Sequence, residues 1–485
     1  VMMLAIGFFY SKGNNDSSDF YLGGRKLGPF VTAMSAEASD MSSWLLMGLP
    51  GVAYLSGTCD AAWTAIGLAI GTYLNWLIVA KRLRRYSAKT NSITMPDFFS
   101  NRYRDDSKLL LGISAIFIII FFVPYTASGF AACGKLFSTL FGIPYTAAML
   151  ISAVVIVGYT ALGGFMAASF TDLIQSIVMT VALVLVVCFG VSMCGGLDVV
   201  LANAKELPGF LSLTATYDSA SETASNYGTI TTISTLAWGL GYFGVPHVLL
   251  RFMATENEEN ISLSRRIATV WVVISLTAAV MIGVSGRMVL GDGLLDGNGQ
   301  QEIIYITMVS KFFPLFIAGI FLSAILAAIM STADSQLLVT ASALTKDFYH
   351  NKIRPQATEK ELMWVSRGCV MGVAVIAVLI ATNQNSTVLG LVSYAWGGFG
   401  SAFGPLVLCS LFWKRTNKQG AYAGILVGGI VDLVWAQLSG GIFDLYEIVP
   451  GFVCGLIAIF VVSLLTAAPS KEITDEFDSY RSCEE

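Results

Sequence analysis

Apolar runs of about 20 residues recur along the whole chain, and each is long enough to cross a bilayer core of about 30 Å as a helix. Hydrocarbon leaves few structures open to such runs. Every backbone polar group must be satisfied within the segment, which a helix does by itself. The residues are 55% hydrophobic and 12% charged, about half the charged fraction of a soluble domain. The pattern predicts an all-α polytopic membrane protein embedded in a lipid bilayer, and nothing in it points to a nucleic-acid partner. About thirteen spans are read, at 1–10, 29–55, 60–80, 109–137, 143–162, 168–194, 229–250, 267–290, 314–345, 363–382, 388–413, 420–439 and 448–467. The first, VMMLAIGFFY, is incomplete. It reads as the inner end of a helix that begins before Val1, without the basic flank and cleavage site of a signal peptide. The 8 cysteines are scattered, with no C-x-x-C pair, and most fall inside spans as small buried thiols.

Lysine and arginine orient the chain. The connecting segments 11–28, 81–108, 163–167, 251–266, 346–367 and 414–419, with the tail after 467, would lie on one side. They hold all of the 28 basic residues except Lys135, Lys205, Arg287 and Lys311. This asymmetry places the amino end outside and the carboxyl end in the cytoplasm, with KRLRRYSAKT at 81–90 as the strongest anchor. On this reading no basic residue falls deep in a span. The intramembrane charge is acidic: Glu37, Asp40, Asp172, Asp334 and Asp432. Bare carboxylates in a membrane are costly and face a cavity or a pathway. With no lysine or arginine beside them, the expected partner is a bound cation or a proton.

The spans also repeat. A block of five, 29–194, is followed by a second block of five, 229–413. An odd number makes the second block enter from the opposite side, so the repeats are inverted. Two additional helices at 414–467 and a cytoplasmic tail at 468–485 complete the chain, a single transporter domain. The first span of each block is interrupted about ten residues in, by ASDMSS (38–43) and by WGLGYFGVPH (238–247). In the second, three glycines and a proline weaken the helix ladder. Interrupted helices at matching positions of two halves point to a midplane transport site, where freed carbonyls can bind Na⁺ and helix amino ends a carboxylate.

The ninth span adds oxygen ligands: Ser331, Thr332, Asp334 and Ser335 lie within about a turn, and hard cations prefer oxygen. The bland alternative is that these hydroxyls bond back to their own helix. Asp172, near the start of the sixth span, either caps that helix or lines a cation path. Asp432 lies outside the repeats and reads as a polar contact between helices. Glu37, three residues before Asp40, shares nearly the same helix face, and its role stays open. Trp44, Tyr125, Trp238, Tyr242, Tyr394 and Trp396 gather near the breaks and suit a small, half-apolar solute. His247, after Pro246, reads as structural. An ATP-driven pump is not visible, since G-x-x-x-x-G-K-[ST] is missing. An intramembrane aspartyl protease would need G-x-G-D, and the nearest match, VLGDG, has Val289 in place of the first glycine. A membrane receptor or sensor would call for a soluble output domain.

The stretches SDMSSWLLMGLPG, YTALGGFMA, WGLGYFGVPH, AAIMSTADSQLL, LGLVSYAWGGFGSAFGP and SLFWKR to GAYAGILVGG resemble the sodium:solute symporter family, in order, from about Phe20 to Pro469. The resemblance implies a leucine-transporter-like fold of two inverted five-helix repeats plus extra helices. It also implies secondary active uptake of L-proline coupled to inward Na⁺ movement by alternating access, in a bacterial inner membrane. A symporter for another small zwitterion, or one coupled to H⁺, is the alternative. By matching position, Ala38, Met41, Ala328, Ser331 and Thr332 would bind Na⁺, with Asp40 and Ser42 at the same break. Ser42, Trp44, Tyr125, Trp238, Tyr242 and Pro246 would shape the substrate site. Arg25 and Asp172 would belong to the inner gate or sodium path. Ser43 stands where the family pattern has glycine, which is expected to stiffen the break or crowd the substrate. Asp334 replaces a small polar residue of some relatives, so Asp172, Ser331, Asp334 and Ser335 are expected to form a second cation or proton site.

Overall fold

Short-range signals mark where helices begin and fail. The computed structural model describes residues 21–481, apart from 296–298 and 384–385, so the expected span at 1–10 lies outside the described residues. A short turn at Gly23–Arg25 leads to α1 (Pro29–Asp40), with proline in its first turn, where a missing N–H costs nothing. The helix stops at Met41, whose ψ of 79° is not helical. The chain resumes as a π turn, Trp44–Gly48, and α2 (Leu49–Ser56). The interruption therefore falls inside the stretch read from sequence. Ser43 there is right-handed, with φ −52° and ψ −24°, a conformation open to any residue.

Helix α3 (Thr58–Leu74) passes through a π segment, Asn75–Ala80, into the basic α4 (Lys81–Lys89). Next come α5 (Met95–Arg102) and α6 (Leu109–Phe141). Thr94 caps α5, its Oγ1 accepting from the Asp97 N–H at 3.1 Å, one of the donors a helix start leaves unpaired. α7 runs from Tyr145 to Met193, so the connection expected at 163–167 is helical instead. Its 49 residues rise about 74 Å at ~1.5 Å each, more than twice a hydrocarbon core. Its apolar parts include Tyr145–Gly158 and Phe165–Met193. α8 (Leu197–Glu206) and an antiparallel hairpin, β1 (Ala215–Asp218) with β2 (Thr223–Asn226), follow.

The second interrupted helix starts as α9 (Thr229–Leu236), tightens into a 3₁₀ turn at Ala237–Phe243 and restarts at proline as α10 (Pro246–Ala254). The two arms differ in direction by 42°. Beyond it lie α11 (Ile261–Leu290), α12 (Ile304–Phe312) and α13 (Leu315–Ser342), then α14 (Glu359–Ala381), α15 (Val388–Phe412), α16 (Lys418–Trp435) and α17 (Ile448–Leu465). Thr358, Thr387 and Asn417 cap α14, α15 and α16 through their side chains. Eight described helices are long and apolar enough to cross a membrane, nine if the bent pair counts as one. The other expected spans within the described residues are present as shorter or interrupted helices.

Glycines let the second break lie against its neighbours, backbone to backbone. A Cβ on Gly239 would come within 2.3 Å of the Gly67 carbonyl oxygen, and one on Gly71 within 2.4 Å of Gly239 Cα. A Cβ on Gly241 would meet the Trp396 indole nitrogen at 2.0 Å. That nitrogen donates to the Trp238 carbonyl at 2.7 Å, so the indole cannot swing away without losing a buried bond. Gly241→Ala is expected to cost about 1–3 kcal/mol. A lower unfolding temperature in detergent checks this, and an unchanged one would mean that the Trp396 bond does not hold the turn.

The tail expected after 467 carries a further helix. α18 (Lys471–Arg481) packs Phe477 and Tyr480 beneath α4, with the Tyr480 ring stacked 4.3 Å from Tyr86. The Arg102 guanidinium lies 5.1 Å from the Phe477 ring centre, and Arg104 pairs with Glu476 at 2.6 Å.

Candidate functional site at two helix breaks

The carbonyl released at the end of α1 is met from across the bundle. Ser331 on α13 donates to the Ala38 carbonyl at 2.8 Å, and Thr332 points to the same oxygen at 3.5 Å. Both hydroxyls also bond to the Ala328 carbonyl, each at 3.1 Å. Ala38, Ala328, Ser331 and Thr332, far apart in sequence, therefore present two carbonyl and two hydroxyl oxygens in one buried place. This is the donor set a hard monovalent cation prefers. Met41 lies at the break itself, its N–H on the Glu37 carbonyl at 2.8 Å. Among the described residues no hydrogen bond joins it to α13.

Asp40 organises the aromatic side of the break. Its carbonyl accepts from the Tyr125 hydroxyl at 2.9 Å and the Trp44 indole at 3.0 Å. Its Oδ2 accepts from the Tyr242 hydroxyl at 2.6 Å. The Ser42 N–H also reaches the Asp40 carbonyl, at 2.9 Å. Asp40 thus ties α1 to α6 and to the second break. The Trp44 and Trp238 rings lie 6.4 Å apart. Trp238 is also a wall of a cavity of about 390 Å³, with Asp60, Thr64, Tyr446 and Glu447. That volume suits a small ligand. Pro246 lies elsewhere. It borders a narrow cleft with Arg251, Ser335 and Thr94, toward the end that carries α4. The space there, about 10 Å³, admits about one water.

One expectation fails. A basic residue does lie deep in the bundle. Arg251, counted above with a connecting segment, belongs to α10 and is 1% exposed. Its Nη2 is 3.3 Å from Asp172 Oδ2 and 2.5 Å from Ser335 Oγ, and its Nε donates to Ser35 at 3.1 Å. Ser35 in turn donates to Asp172 Oδ2 at 2.7 Å. Asp334, next to Ser335, lies within electrostatic reach of both Asp172 and Arg251. The positive charge beside Asp172, Asp334 and Ser335 is therefore the protein's own guanidinium. The physical reason is helical spacing. Arg251 stands four residues after His247, whose carbonyl takes its Nη1 at 2.9 Å, so about one turn of α10 sets it on the same inward face as His247. The available signal was the four-residue spacing from His247, which keeps Arg251 on the helix that restarts at Pro246.

Arg25 behaves as a staple at the α4 end. It donates to the carbonyls of Met253 and Ser92, each at 2.6 Å, and of Ser87 at 3.1 Å. Burial, with Arg84 nearby, lowers its guanidinium to about 10, so it stays charged at neutral pH. Glu37 accepts from the Trp76 indole at 2.8 Å, a partner not foreseen. Asp432 accepts from Ser401 at 2.9 Å, the contact between helices expected of it.

Two broken helices meeting a long oxygen-bearing helix, inside an apolar bundle, form the core of a transporter rather than an enzyme. The chain shares its fold with a Na⁺-coupled sialic acid symporter solved in a substrate-bound outward-open state, with a TM-score of 0.77, 20% identity and 97% of each chain covered. This is the leucine-transporter fold. The family model described as the sodium:solute symporter family matches residues 20–428, and the chain belongs to that family. It is 44% identical to the high-affinity proline transporter PutP of Bacillus subtilis, over 99% of both chains. It is likewise 44% identical to a sodium/proline symporter of Escherichia coli, over 98% of this chain and 93% of the relative. Na⁺ is the coupling ion of the family, and the protein is a multi-pass membrane protein.

Proposed function

We propose that the protein is a symporter that takes up L-proline with Na⁺ by alternating access. The observation that carries this is the convergence of Ser331 and Thr332 on the Ala38 carbonyl, across a helix break. The proline relatives, at 44% identity over nearly the full length, supply the substrate. Na⁺ takes the oxygens of Ala38, Ala328, Ser331 and Thr332, with the Met41 carbonyl beside them. Proline binds near Ser42, Trp44, Tyr125, Trp238 and Tyr242, reached through the cavity that Trp238 borders. Arg25 and Arg251 hold the opposite end closed. The basic segments lie in the cytoplasm of a bacterial cell, the amino end outside, and 29–194 and 229–413 form the inverted repeats.

The energetics suffice. One inward charge releases about 2.3 kcal/mol per 100 mV, and a tenfold Na⁺ gradient adds about 1.4 kcal/mol. Together they support a solute gradient of a few hundredfold, by order of magnitude. Radiolabelled L-proline uptake into proteoliposomes tests the proposal. The expected result is uphill accumulation that needs an inward Na⁺ gradient. Accumulation driven equally well by a proton gradient without Na⁺, or no proline uptake by folded protein, would overturn it.

A further inference from the structure

Two carbonyls of the second break each accept from a side chain outside it. The Trp396 indole, on α15, donates to the Trp238 carbonyl at 2.7 Å. Asn75 Nδ2, at the start of the π segment after α3, donates to the Tyr242 carbonyl at 3.0 Å. Trp396 and Asn75 are 1% and 0% exposed, so water does not compete for either bond. Both carbonyls belong to residues whose rings shape the proposed solute site. Trp396 also packs edge-to-face on Tyr242, with ring centres 5.0 Å apart and planes at 88°, an arrangement aromatic pairs prefer. One indole therefore fixes the backbone of Trp238 and the ring of Tyr242. The Tyr242 hydroxyl in turn ends on Asp40 Oδ2 at 2.6 Å. Among the described residues, Trp238 borders the cavity of about 390 Å³ and Trp396 does not. The sequence groups Trp396 with the pocket aromatics, and the structure sets it behind them.

The donors at the two breaks differ in kind. At the first, the Ser331 and Thr332 hydroxyls can rotate and offer a lone pair instead of a proton. At the second, an indole N–H can only donate, and the Asn75 amide spends an N–H. The second break is thus held as a fixed piece. A ring that meets a small solute must be held to within about 0.5 Å, which takes neighbours that are themselves locked. We propose that Trp396 and Asn75 are positioning residues that set the spacing of Trp238 and Tyr242, and so the ring size of the solute that the site accepts. The inference rests on the proline reading of that site. It gives neither residue a contact with the solute or with Na⁺.

Equilibrium binding of radiolabelled L-proline to purified protein in saturating Na⁺ decides it, with pipecolate, the six-membered-ring homologue, as competitor. Trp396→Phe keeps a ring against Tyr242 and removes the N–H. Asn75→Leu keeps the bulk and removes the other donor. Each should weaken proline binding about tenfold, the cost of leaving one buried carbonyl unpaired. Pipecolate should lose much less, so that the preference between the two ring sizes narrows. Affinities do not depend on how much of the protein folds, so a smaller yield of folded variant leaves the comparison intact. Na⁺ affinity without proline, read with ²²Na⁺, should stay as in the parent. Either variant binding both solutes as the parent does would overturn the role of that residue. A loss of Na⁺ affinity as large as the loss for proline would overturn the proposal too, since the residues would then brace the whole core. A parent protein that binds no L-proline would remove the proposed function, and this proposal with it. A parent that binds proline beside two unaltered variants would remove this proposal alone.

Discussion

Arg251→Gln should unfold at a markedly lower temperature than the parent protein, and Asp172→Asn/Arg251→Gln should recover much of the loss. The side chains of this pair are 1% and 0% exposed, so solvent cannot take over the role of either. Removing one partner of a buried pair costs about 3–5 kcal/mol, mostly because the other charge is left uncompensated. The single variant strands the Asp172 carboxylate beside Asp334 with no counter-charge in a medium of low dielectric. The double variant removes that charge. Equal unfolding temperatures for the single and double variants would show that the guanidinium is not what neutralises Asp172. The same comparison bears on gating, because Arg251 links α1, α7, α10 and α13 through Ser35, Asp172, the His247 carbonyl and Ser335. A side chain bonded to four helices at once should slow any opening of the α4 end while its bonds persist.

Asp40→Asn is expected to act in the opposite sense on stability and to damage ion binding. No ion pair serves this carboxylate among the described residues, so neutralising it relieves an unfavourable charge in the absence of Na⁺. The ion-free variant should melt no lower than the parent. The Ala38 carbonyl is only two residues away, and a unit charge contributes about 2 kcal/mol at about 8 Å and an effective dielectric near 20. That corresponds to about 30-fold in Kd. Titrating ²²Na⁺ against purified Asp40→Asn should show at least that weakening. Unchanged Na⁺ affinity would mean that Asp40 serves only as the acceptor for Tyr242.

The two variants separate what is local from what is not. Hydrophobic runs, and the glycines and proline of 238–247, act within a few residues. They are legible from sequence, and the helices begin close to where they predict. The break at 238–247 was legible for the same reason, since glycine and proline weaken a helix ladder, and the one at 38–43 from an acid among serines inside an apolar span. Resemblance carried the ninth-span oxygens to Ala38. No local signal could, because Ser331 and Ala38 meet only through packing.

Pairing of charges was the least legible part. Arg251 reads in sequence as the first residue of a basic connection, and only the length of α10 turns it inward to Asp172. The bonds of Trp396 and Asn75 to the second break are likewise invisible in a linear chain. Whether a buried oxygen is satisfied depends on every element packed around it. The sequence alone determined the membrane-spanning helical class and the places where two helices must open, because these follow from solvent transfer and backbone geometry within a few residues. The tertiary structure decided which oxygens face one another and which acids already own a counter-charge, because Coulomb and hydrogen-bond energies depend on distance in space and not along the chain.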